Sequence, residues 1–81
     1  MLKLRVLSGR EVIVIFLRLG FLEVSQKGSH VKLRRTVDGV RQTLTIPDHK
    51  EIARFTLHEI YRQALPYISE KELRKEFFIE I

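Results

Sequence analysis

Cysteine is absent from this sequence of 81 residues. Disulfides, thiolate metal sites and a cysteine nucleophile are therefore excluded, and a reducing compartment is the natural setting. Long apolar runs are missing too. The stretch Val12–Leu17 is six residues long, bracketed by Glu11 and Arg18, with no small-residue cleavage site after it. It is too short for a signal-peptide core or a membrane span, so the protein reads as cytoplasmic. There is no internal repeat, low-complexity tract or Gly/Ser linker, and the chain reads as one domain, 1–81. A mass of 9.6 kDa excludes a Rossmann or TIM-barrel enzyme. No Gly-rich phosphate loop and no G-x-x-G of a KH domain is present, and a Ser-His-Asp triad cannot be read from so short a chain. The expected strands carry no stacking aromatics apart from Phe21 at the start, which disfavours an RRM-like base platform.

What is present is positive charge. Lys and Arg number 15 against 10 Asp and Glu, for a net +5 and a pI near 10.0, a balance that favours a polyanionic partner. The excess is uneven. Residues 1–41 hold nine basic and three acidic groups, and residues 42–81 hold six and seven. The densest block is Lys27, Lys32, Arg34, Arg35 and Arg41 against Asp38. The same run also reads as an ordinary solvated surface.

Residues 1–7 form a lead-in in which Leu2, Leu4 and Val6 alternate with Lys3 and Arg5. Ser8-Gly9-Arg10-Glu11 matches a capping box, and Gly20 supplies a left-handed helix end. The β-branched run between them suits a strand as well as a helix. The caps favour a helix burying Val12, Ile13, Phe16, Leu17 and Leu19. Three strands follow. Leu22 and Val24 alternate with Glu23 and Ser25; Val31 and Leu33 oppose His30, Lys32 and Arg34; Val40, Gln42, Leu44 and Ile46 alternate with Arg41, Thr43 and Thr45 until Pro47. Gln26-Lys27-Gly28-Ser29 and Asp38-Gly39 are the turns. Thr56/Glu59 and Ser69/Glu72 match two further capping boxes. The first opens a helix with a Leu57/Ile60/Tyr61/Ala64 stripe that Pro66 ends, and the second opens a short helix with Leu73, Phe77 and Phe78. The expected fold is an α+β sandwich, α-β-β-β-α with helices on one face of a three-stranded antiparallel sheet, plus a short C-terminal helix.

Of the three histidines, His58 lies opposite the apolar stripe and reads as a surface residue. His49, in Pro47-Asp48-His49, reads as a loop histidine that hydrogen-bonds local backbone; Asp48, His49 and Glu51 match no defined metal spacing. His30 follows the Gly28-Ser29 turn and shares a strand face with Lys32 and Arg34. An imidazole there can remove a ribose 2′-OH proton while the cations stabilise charge on the phosphate, and those cations should lower its pKa. A solvent-facing strand histidine is the plainer reading of the same spacing.

Five runs then bear on one family: Ser8-Gly9-Arg10-Glu11-Val12, Leu19-Gly20-Phe21, Gln26-Lys27-Gly28-Ser29-His30-Val31, Ile46-Pro47-Asp48-His49, and Thr56-Leu57 with Ile60-Tyr61-Arg62-Gln63-Ala64. In this order and spacing over residues 8–65 the chain resembles the HicA toxins, with 66–81 as a helical extension. The resemblance implies a double-stranded-RNA-binding-domain-like fold. It implies an mRNA interferase, a ribonuclease that cleaves messages without needing the ribosome, and a HicB-type antitoxin that binds over the active site. It also implies that His30 is catalytic, with Gly28 and Ser29 as the turn that presents it. Phe55 departs from the family's usual glycine before the Thr of the second helix. On this reading His30 is the general base, Lys27, Lys32 and Arg34 hold phosphate, and no metal or cofactor takes part. The acid is open between His30 acting twice, His49 and a lysine. A non-catalytic RNA-binding module on the same fold is the alternative, and a protein that binds only another protein is a third. A helix-turn-helix is disfavoured because the strands leave no consecutive helix pair in the first half.

Overall fold

A computed structural model describes residues 1–81. The elements run β1 (Leu2–Leu4), α1 (Gly9–Arg18), β2 (Leu22–Lys27), β3 (His30–Val37), β4 (Val40–Pro47), α2 (Arg54–Ala64), α3 (Glu70–Phe77) and β5 (Phe78–Glu80). Strands β2, β3 and β4 form one antiparallel sheet in that order, and β1 pairs with β5 in a second, two-stranded sheet. The expected α+β architecture is thus present around a three-stranded sheet.

The β-branched segment 12–17 is helical because both of its ends are tied. Ser8 Oγ accepts the Glu11 N–H at 3.1 Å and Glu11 Oε1 accepts the Ser8 N–H at 2.9 Å, so the two free amides of the first turn are satisfied reciprocally. Gly20, at φ +97°, turns the chain out of the helix. The helix buries Val12, Ile13, Ile15 and Phe16, while Leu17, expected on that face, is exposed. Val31 and Leu33 of β3 and Leu44 and Ile46 of β4 meet these residues from the sheet, and Leu57, Ile60 and Ala64 of α2 complete one core. Phe16 sits at the centre, with ring centroids 5.7 Å from Phe21 and 5.9 Å from Phe77. Aromatic pairs at such separations add about 0.5–1.5 kcal/mol beyond their area.

Four further expectations are corrected. Strand β2 does not bury Leu22 and Val24: the register shifts between Glu23 and Ser25, and the two side chains are 68% and 46% exposed. A bulge breaks the period-2 alternation on which that expectation rested. The Thr56/Glu59 capping box does not form, because α2 starts at Arg54 after Ala53, which makes no side-chain cap. Ile52 is buried and donates its N–H to the Leu7 carbonyl at 2.9 Å, so the chain is anchored just ahead of the helix and Thr56 already lies in its first turn. Ser69 does cap α3, accepting the Glu72 N–H at 3.3 Å, but that helix ends at Phe77. Phe78 instead opens β5.

The fourth correction concerns residues 1–7, which are more than a lead-in. Leu2, Lys3 and Leu4 pair with Glu80, Ile79 and Phe78. The Arg5 N–H donates to the Phe77 carbonyl at 2.8 Å and its guanidinium to the Glu76 carbonyl at 2.9 Å. Leu4 and Leu7 enter the core.

Candidate active site

The β2–β3 hairpin turns through Gly28 and Ser29, with Gly28 at φ +59°. Positive φ at the first of two loop residues is the II′ pattern, which suits the right-handed twist of the flanking strands and calls for glycine. His30 begins β3 and pairs with Lys27 on one side and Pro47 of β4 on the other. Alternation carries the rest of the face: Lys32 pairs with Ser25 and Thr45, and Arg34 with Leu22 and Thr43. The turn therefore brings the expected residues Lys27, Gly28, Ser29, His30, Lys32 and Arg34 together on one hairpin.

The cations of this face are electrostatically free. None of the ion pairs in the molecule includes Lys27, Lys32, Arg34 or Arg41. Arg34 reaches only the Thr43 hydroxyl, at 3.4 Å. Arg35, counted in the same basic block by sequence, belongs elsewhere. It points to the opposite side of β3, where its guanidinium donates to the Leu19 carbonyl at 2.6 Å, the Tyr67 carbonyl at 2.9 Å and Gln42 Oε1, and lies 4.8 Å from the Phe21 ring centroid. Arg35 is a structural cross-link between β3, β4 and the two chain segments around Leu19 and Tyr67.

His30 opens onto a cleft of about 470 Å³ between β4 and α2. His49, Thr56, Glu59 and Gln63 line the same cleft, with Thr45 and Pro47 on the sheet side. Gln63 Oε1 accepts the Thr45 N–H at 3.3 Å, which joins α2 to the outer edge of β4 and sets the width of the opening. Lys27, Lys32 and Arg34 lie outside the cleft on the open face of the sheet. The imidazoles of His30 and His49 make no hydrogen bond to protein side chains or backbone, so both are left uncommitted beside the cleft.

The segment 47–49 is held from two directions. Asp48 donates its N–H to the Ser29 carbonyl at 2.6 Å, which binds the segment to the hairpin turn. From α1, the Gly9 N–H donates to the His49 carbonyl at 2.8 Å, and Arg10 places its guanidinium 3.1 Å from Asp48 Oδ2. That carboxylate pushes the Arg10 pKa up, first through the hydrogen bond and then through its charge, with a smaller contribution from Glu23. Sequence reasoning missed this clamp. Its signal is the glycine of Ser8-Gly9-Arg10: a Cβ at residue 9 would stand 2.2 Å from the Pro47 carbonyl oxygen, so no other residue lets α1 approach so closely. Asp48, engaged by Arg10, joins no metal-ligand cluster, and no three His, Asp or Glu side chains in the molecule converge as one.

His58 is exposed, its ring centroid 6.3 Å from that of Tyr61, and does not line the cleft. Phe55 is 77% exposed at the start of α2. No helix is long and apolar enough to cross a membrane.

Residues 9–65 match the family described as the HicA toxin of bacterial toxin–antitoxin systems. The match begins at the glycine of the α1 clamp and ends just past α2, so it contains the hairpin, segment 47–49 and every residue that lines the cleft. No curated protein and no solved structure gives a significant match.

Proposed function

Starting from the chain's membership of the HicA family, the toxins of bacterial toxin–antitoxin pairs, we propose that it is an endoribonuclease that arrests growth by cutting mRNA in the cytoplasm. His30 is the general base. It takes the proton of a ribose 2′-OH, and the freed oxygen attacks the adjacent phosphorus in line with the departing 5′-oxygen. Lys27, Lys32 and Arg34 hold the strand's phosphates and offset the charge that develops on the reacting one. Gly28 and Ser29 hold the base at the end of its hairpin. The reaction draws on these side chains and needs no metal.

The observation that supports this most is the position of His30. It stands where an open, unpaired cationic face meets the cleft between β4 and α2, and nothing in the protein occupies its ring nitrogens. A single positioned base contributes about 10²–10⁴ in rate, so the enzyme is slow, and slow cutting suffices for toxicity when no antitoxin opposes it. The antitoxin is a HicB-type protein that covers the cleft.

The test compares wild type with His30→Ala, in growing cells and with purified protein on RNA in EDTA. Growth arrest and cleavage by wild type alone are expected. RNA binding by both proteins with cleavage by neither makes the chain a non-catalytic RNA-binding module. Equal cleavage by both removes His30 from the active site.

A further inference from the structure

We infer that His49 is the general acid of this nuclease, a role that rests on the reading of His30 as its base. Cleavage by 2′-OH attack has two ends. The base removes a proton where the nucleophile forms, and an acid must supply one where the 5′-oxygen leaves. In-line displacement puts those two oxygens on opposite sides of phosphorus. One imidazole therefore cannot serve both without crossing the reacting phosphate, which excludes His30 acting twice in the same step. The second group has to come from another wall of the same cleft.

Two histidines line this cleft from different chain segments, His30 from β3 and His49 from the segment after β4. The lysines of the hairpin do not line it. Glu59 does, but it is engaged with Arg62 at 3.3 Å. An ordinary imidazole, with a pKa of about 6.5, also suits acid transfer near neutrality far better than an ordinary lysine at about 10.4. The backbone around His49 is fixed more firmly than a solvent loop requires. Its carbonyl is bonded to Gly9, its neighbour Asp48 is bonded through the N–H to Ser29 and through the carboxylate to Arg10, and only its ring is left free. The charged and titratable groups of the neighbouring elements are Asp48, Lys50 and Glu51 in its own segment, Arg10 of α1, which pairs with Asp48, and His30 of β3 and Glu59 of α2, which line the same cleft.

The step balances as follows. Neutral His30 accepts the 2′-OH proton, O2′ bonds to phosphorus, the P–O5′ bond breaks, and O5′ leaves with the proton of the His49 imidazolium. The products are a 2′,3′-cyclic phosphate, a free 5′-hydroxyl, protonated His30 and neutral His49. Exchange of protons with water restores both rings.

The experiment uses the full chain, His49→Ala and His49→Gln on two RNAs of one sequence. One has the natural linkage at the site wild type cuts. The other has a bridging 5′-sulfur there, whose thiolate leaves without protonation. The variants should cut natural RNA about 10²–10³-fold more slowly and the sulfur-linked RNA within about threefold of wild type. Wild type should give a bell-shaped pH–rate profile, as a step that needs one base and one acid does. The variants should keep the rise and lose the alkaline fall. Unchanged cutting of natural RNA by the variants overturns the assignment. So does an equal loss on both RNAs, which marks His49 as structural only. If wild type cuts neither RNA, the nuclease reading itself falls and the acid with it.

Discussion

Gly9 and His49 are joined by a backbone hydrogen bond of 2.8 Å, and the space between α1 and segment 47–49 is so small that a β-carbon on Gly9 would lie 2.2 Å from the Pro47 carbonyl oxygen. Alanine improves helix propensity by up to about 1 kcal/mol at most helical sites. Here overpacking against backbone, which cannot rotate away, outweighs that gain. Gly9→Ala should lower stability by about 1–3 kcal/mol, read from urea unfolding, and should impair RNA cleavage beyond the loss of folded protein. A variant as stable and active as wild type would mean that the clamp is loose.

Unpaired cations and Arg35 should respond in opposite ways. Removing Lys27, Lys32 or Arg34 should flatten the dependence of log K on log salt for RNA by about one unit of slope each, with stability within about 0.5 kcal/mol of wild type. Arg35→Ala should leave the slope alone and lower stability by about 2–4 kcal/mol, because it strands the Leu19 and Tyr67 carbonyls. Arg35→Lys should not restore it, since an ammonium cannot span three acceptors in a plane. Titrations at several salt concentrations, with urea midpoints, separate the two classes.

Glu11 gives stability a defined pH dependence. Its carboxylate accepts the Ser8 backbone N–H, lies beside the Ser8 hydroxyl and feels the charge of Arg5, and these hold its pKa below the ordinary 4.5. A folded-state pKa below the unfolded one contributes stability that is present in full above the unfolded value and is lost as pH falls through the folded value. Wild type should therefore lose stability below about pH 4.5 more steeply than Glu11→Gln. Thermal midpoints at pH 7 and at a series of acid pH values provide the comparison.

The bulge in β2 predicts a contrast between two leucines in neighbouring strands. Leu33→Ala empties a fully buried site and should cost about 2–5 kcal/mol. Leu22→Thr, on the exposed face, should stay within about 0.5 kcal/mol of wild type. Equal losses would show that β2 buries its apolar residues after all.

Local chemistry made much of this fold legible. Ser8, Glu11 and Gly20 identify α1 because capping groups act within a few residues of themselves, and Asp38-Gly39 identifies a hairpin for the same reason. His30, Lys32 and Arg34 could be placed on one face because strand alternation is also local. What stayed hidden depends on distant partners. The β1 strand exists only because Phe78–Glu80 comes alongside it. Arg35 looked like its basic neighbours until the strand's alternation aimed it at two carbonyls from remote segments. The cleft is a property of α2 lying against the edge of β4, and no spacing within either element reports that. Its one trace in sequence is Gln63, a polar residue beside the apolar stripe of α2.

The pairing of Leu2–Leu4 with Phe78–Glu80 has a consequence for synthesis. Ribosomes add roughly 5–20 residues each second, so β1 is synthesised about 4–15 s before its partner. The central sheet waits for nothing comparable. Its two hairpins close through two residues each, and hairpins form in about 1–10 μs. The wall that carries His30 can thus take shape without the terminal strands. The terminal sheet fastens the domain only after residue 80 has emerged, and until then β1 is an unpaired edge open to any other strand that meets it.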